Sequence, residues 1–88
     1  MQPIRTRING KTYTIDPGAF HALCDNPHDS EPAIMLADGL QNTRSSLTYM
    51  VHELLHASDW NASEEKVTKT AEDIGRILWR LGFRLTSK

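Results

Sequence analysis

His52 and His56 stand four residues apart, with Glu53 beside the first, in the run His-Glu-Leu-Leu-His. Residues four apart on an α-helix lie about one turn from each other on one face, so both imidazoles can reach a single metal ion. The carboxylate between them can serve as general base toward water that the metal acidifies. The chemistry open to this spacing is zinc-assisted hydrolysis. It requires that the segment be helical and that its ligand-bearing face look into a cleft.

The surrounding residues predict such a helix from about Thr43 to Ala57. With His52 at zero on a helical wheel, His56 falls near ~40°, Tyr49 near ~60° and Glu53 near ~100°. Leu47, Met50, Val51, Leu54 and Leu55 occupy an arc from about 160° to 300°. The motif thus sits on the polar face, backed by an apolar one that can rest on a core.

Two histidines leave a zinc ion short of a protein ligand, since a catalytic site usually has three with water in the fourth position. Asp59, Glu64, Glu65, Glu72 and Asp73 follow in the chain. Asp59 is roughly 10 Å along a straight helix from His52, too far to share an ion. It is better placed to hold the free ring nitrogen of His56, or simply to start a turn with Trp60 and Asn61. A short connection brings a second helix back antiparallel, which sets Glu64 and Glu65 level with the histidines and Glu72 and Asp73 farther along. Glu64 borders the apolar stripe of that helix and is expected to lean toward the first helix, while Glu65 is expected to face solvent. Tyr49, His28 and His21 are the candidates for a donor to a developing oxyanion.

These residues need elements to place them. Ile4 to Ile8 alternates apolar and polar, Asn9-Gly10 is the favoured pair for a two-residue type I′ turn, and Lys11 to Ile15 alternates again. A hairpin is predicted, with Ile4, Ile8, Tyr13 and Ile15 on one face. Asp16-Pro17-Gly18 is expected to break the second strand. Phe20 to Cys24 and Ala33 to Leu36 read as further short strands, separated by the turn-rich stretch from Asp25 to Pro32. Ser63 is a good N-cap for a second helix from Glu64 to Leu81, with Gly82 as its stop. Val67, Ala71, Ile74, Ile77, Leu78 and Leu81 form its apolar stripe. Arg76, Arg80 and Arg84 read as a solvated row on the other side, and Trp79 as a packing residue at the rim. The expected fold is α+β: a small antiparallel sheet, made of the N-terminal hairpin and one or two short strands, followed by two antiparallel helices.

The whole chain of 88 residues reads as one domain, residues 1–88. Ten basic and eleven acidic residues give no reason to expect nucleic acid as a partner. A single cysteine, Cys24, excludes an intramolecular disulfide, suits a reducing compartment and reads as a small core residue. No apolar run has the length of a membrane span, and the first residues lack that of a signal peptide. A cytoplasmic protein is the expectation.

The helix His-Glu-Leu-Leu-His followed by Glu64-x-x-Val67-Thr68 resembles the gluzincin metallopeptidases, in which a glutamate from the next helix completes the zinc site. The run from Glu64 to Ile74 is similar to the corresponding stretch of ImmA/IrrE-type peptidases of phages and bacteria. The segment His-Glu-Leu-Leu-His-Ala-x-Asp-Trp, with Ser-Glu-Glu and the closing Leu-Trp-Arg-Leu-Gly-Phe, also looks like small phage-encoded proteins. The likeness covers about residues 47 to 84. It implies a minimal zincin-like peptidase, with Zn2+ on His52, His56 and Glu64, Glu53 as base, and a peptide or protein substrate. For a phage-encoded protein the compartment would be the host cytoplasm. Ala33 to Leu36 resembles in position the edge strand along which zincins bind peptides. The stretch between His56 and Glu64 is far shorter than in most gluzincins, so a segment that builds part of the cleft in larger relatives is missing.

Overall fold

A computed structural model describes residues 3–19, 23–37 and 43–84. Four strands, β1 (Ile4–Ile8), β2 (Lys11–Ala19), β3 (Leu23–Cys24) and β4 (Ala33–Ala37), precede two helices, α1 (Arg44–Ser58) and α2 (Glu64–Arg80). The expected α+β class, with a hairpin, short strands and two helices in that order, is what forms.

The hairpin follows its turn chemistry. Asn9 and Gly10 have φ of 51° and 80°, as a type I′ turn requires at both central residues. Ile8 pairs with Lys11, and the register continues to Ile4 opposite Ile15. Alternation then puts Ile4, Ile8, Tyr13 and Ile15 on one face.

The sheet is mixed rather than antiparallel, in the order β1-β2-β4-β3. β4 runs antiparallel to β3 but parallel to β2, with Ile15 opposite Ile34. Folding β3 back outside β4 slots β4 between β2 and β3, which fixes its direction relative to β2. β4 is therefore interior, and the expectation that Ala33 to Leu36 forms an open edge for peptide is corrected: the edges are β1 and β3.

β2 also continues past the expected break at Asp16-Pro17-Gly18. Its register with β4 slips between Asp16 and Ala19, the irregularity that lets a proline reside in a strand. Pro17 lies beyond the last β1 pair, at Ile15, so its missing N–H deprives β1 of nothing. Of the strand expected from Phe20 to Cys24, residues 20–22 lie outside the described residues.

One sheet face meets α1. Tyr13, Ile34, Leu36 and Ala57 are buried there, with Ile8, Ile15, Cys24, Met50 and Leu54 packed around them. Thr43 caps α1 by accepting from the Ser46 N–H, and Ser63 caps α2 by accepting from the Lys66 N–H, each at 3.1 Å. At the far end of α2, Gly82 takes φ 95°. Gly82 N–H donates to the Trp79 carbonyl and Phe83 N–H to the Leu78 carbonyl, a Schellman closure.

α2 packs chiefly on α1, along Val67, Ala71 and Gly75. This corrects the expected stripe. Ile77 and Leu81 are 51% and 69% exposed, and the contact line runs instead through a glycine. A Cβ on Gly75 would lie 2.4 Å from Thr48 Oγ1 and 3.1 Å from Thr48 Cα. Residue size falls from Val67 to Ala71 to Gly75. At Gly75 the helices lie too close to leave room for a side chain against Thr48.

The arginine row is exposed, as expected. Arg76 pairs with Asp73 at 3.1 Å. The Arg84 guanidinium stacks 3.4 Å over the Trp79 ring and donates to the Trp79 and Phe83 carbonyls.

Candidate metal centre

His52 and His56 occupy successive turns of α1, and Glu64 is the first residue of α2. Glu64 Oε1 lies 2.9 Å from His52 Nε2, and Glu64 Oε2 lies 2.9 Å from His56 Nε2. The two Nε2 atoms are 3.1 Å apart, with ring centroids at 4.8 Å. The histidines are mostly covered, at 20% and 18% side-chain exposure, while Glu64 is 68% exposed.

This donor set fits a zinc ion. Tetrahedral zinc with bonds of about 2.0–2.1 Å needs ligand atoms about 3.3 Å apart, and the observed separations fall within a few tenths of that. Two imidazole nitrogens and one carboxylate oxygen are also the donor types zinc takes. The two Nε2 atoms are within hydrogen-bond reach of each other, one donating and the other accepting according to tautomer; to hold a cation, both would present lone pairs to it. Among the described residues, His52, His56 and Glu64 are the group able to hold a metal ion.

Glu53 is 7% exposed, the one buried charged residue among those described. Its pKa is raised above the ordinary carboxylate value, mainly by burial; His52 and His56 pull it down and Glu64 pushes it up again. The helical wheel gives the direction of Glu53 but not its depth, because burial comes from the sheet packed against α1. Cys24 is close enough on β3 that the Glu53 charge helps burial push its thiol up to about 11. A thiol so disfavoured as thiolate is a packing group, as expected of Cys24.

The remaining expected residues divide. Glu65 turns away from the centre and pairs with Lys69 at 3.2 Å, as its azimuth requires. Asp59 does not support His56. It ends α1, its N–H donating to the Leu55 carbonyl at 2.9 Å and its carbonyl accepting from Ala62 at 3.1 Å. Glu72 and Asp73 lie two turns and more beyond Glu64, outside the ligand group. Tyr49 is 60% exposed one turn before His52. His28 is exposed, its N–H donating to Asn26 Oδ1 at 2.9 Å. His21 lies outside the described residues. Trp60 stands edge-on to His56 with ring centroids 6.4 Å apart. It walls one side of the centre, a role that its place at the end of α1 could have signalled.

Compared with family models, curated proteins and solved structures, the chain finds no match. The site's chemistry is therefore argued from its own residues.

Proposed function

We propose that this protein is a zinc-dependent peptidase of minimal zincin type, with His52, His56 and Glu64 as metal ligands and Glu53 as general base. The observation that carries the reading is the convergence of two Nε2 atoms and a carboxylate within 2.9–3.1 Å, next to a buried carboxylate with a raised pKa. A zinc ion held there would supply Lewis acidity, acidifying water and polarising a peptide carbonyl.

The rest falls to the chain's own groups. Glu53 accepts the proton of the attacking water and passes it to the leaving amine. A raised pKa suits both halves of that shuttle, since the carboxyl returns its proton most readily when its affinity for it lies nearer working pH. Tyr49, exposed one turn before His52, is the side chain this reading assigns as donor to the oxyanion.

The test is cleavage of an unfolded protein by the zinc-loaded chain and by Glu53→Gln. The variant is expected to keep zinc and lose at least about a hundredfold in rate, the scale of a positioned general base. Equal rates for both proteins would remove Glu53 from the reaction.

A second reading is a zinc-stapled protein without turnover. It is favoured by one observation: the ligands join α1 to α2, and α2 packs on little else. Zinc binding with no cleavage by the unaltered chain would select it. No helix among the described residues is long and apolar enough to cross a membrane.

A further inference from the structure

The last carbonyls of a helix have no partner inside it. In α1 the Leu55 carbonyl accepts from the Asp59 N–H and the Ser58 hydroxyl, at 2.9 and 3.1 Å. The two at the very end are met from the hairpin. Tyr13 Oη donates to the Ala57 carbonyl at 3.5 Å, and Asn9 Nδ2 donates to the Ser58 carbonyl at 2.7 Å. The Asn9 bond is the shorter, and it spans 49 residues of sequence.

Asn9 sits at φ 51° in the turn. Asp and Gly also suit that position, so the turn alone does not select asparagine. What asparagine adds is an amide donor aimed at the end of α1. Beyond Ser58 the chain has five residues, Asp59 to Ser63, before the third ligand. That stretch is closed by the Ala62 N–H on the Asp59 carbonyl and by the Ser63 cap on Lys66. The first closure lies within the stretch and the second joins it to α2, so its departure from α1 is held at two points: the Asp59 N–H on the Leu55 carbonyl and the Asn9 amide on the Ser58 carbonyl.

We propose that Asn9 is a positioning residue for the candidate metal centre: by holding the Ser58 carbonyl it aims the α1–α2 connection so that Glu64 meets His52 and His56. The inference rests on reading the triad as a metal site. It makes the hairpin, more than 40 residues upstream, part of the ligand geometry. A tether that only stabilised the fold would change melting temperature and leave metal affinity alone.

The experiment measures zinc affinity, by competition with a chromophoric chelator, and the visible spectrum with Co2+ in place of zinc. The proteins are the unaltered chain, Asn9→Gly, Asn9→Asp and Thr12→Ala. Both Asn9 variants keep a residue that suits the turn and lose the donor. Thr12→Ala alters an exposed residue on β2 and reports the effect of perturbing the hairpin alone. The Asn9 variants are expected to bind zinc about three- to tenfold more weakly, the range of one exposed hydrogen bond. Their Co2+ bands should weaken as the carboxylate is lost and added waters raise the coordination number, since tetrahedral Co2+ absorbs far more strongly than six-coordinate Co2+. Thr12→Ala should leave both readouts unchanged. Zinc affinity and Co2+ spectra equal in the unaltered chain and the Asn9 variants would overturn the proposal while leaving the metal site standing. Failure of the unaltered chain to bind zinc would overturn both.

Discussion

The distinction between Glu64 and Glu65 is a matter of 100° around α2. Glu64 reaches both histidines and Glu65 reaches only Lys69, so Glu64→Ala should weaken zinc binding well beyond Glu65→Ala, and His52→Ala or His56→Ala should abolish it. Isothermal titration checks the order; a larger loss for Glu65→Ala would show that the carboxylates have been assigned the wrong way round. Glu53 makes a separate prediction for the metal-free protein. Its folded-state pKa is raised, so the native state holds its proton to higher pH than the unfolded chain does. Stability from that proton is complete below the unfolded value and is lost as pH rises through the folded one. At neutral pH the buried charge therefore opposes folding. Glu53→Gln should melt higher than the unaltered chain at pH 7, with the gap closing near pH 4. A gap that widened in acid would mean the carboxylate is stabilised as an anion.

At the scale of elements, the helix pair is set by Thr48 and Gly75. A glycine inside a helix costs about 1 kcal/mol relative to alanine, so its presence there needs a reason, and the lack of room supplies it: a Cβ added there would lie 3.1 Å from Thr48 Cα. Gly75→Ala gains helix propensity but forces the helices apart, at a cost of about 1–3 kcal/mol. A net loss of roughly 1 kcal/mol, or about 4–8 °C in melting temperature for a domain of this size, is expected. A rise would show that the helices can separate without penalty. The same comparison explains why the α2 stripe was only half legible. Val67 and Ala71 announce themselves as apolar, but a contact made by the lack of a side chain leaves no mark in a hydrophobic pattern.

For the whole molecule, a metal held by His52, His56 and Glu64 would join its two helices, so its binding would add to folding stability. Zinc at a hundred times its Kd would stabilise the fold by about 2.7 kcal/mol, roughly 10–20 °C at this size. Thermal melts with zinc and with a chelator read this directly. Coincident curves, with zinc bound, would mean that the ion also binds the unfolded chain as tightly. A small chain with a limited core gains proportionately from such a link.

Local patterns decided much of this protein. Asn9-Gly10 set the hairpin and its register, the four-residue spacing of His52 and His56 set their shared face, and Ser63 and Gly82 marked the ends of α2. Each is a short-range effect of backbone preference or helical pitch, so neighbouring residues suffice to read it. The depth of Glu53, the parallel pairing of β2 with β4, the loss of β4 as an edge and the tether from Asn9 to Ser58 arose only in the tertiary structure. They join segments far apart in the chain, and burial, strand order and helix approach belong to the surfaces those segments make together.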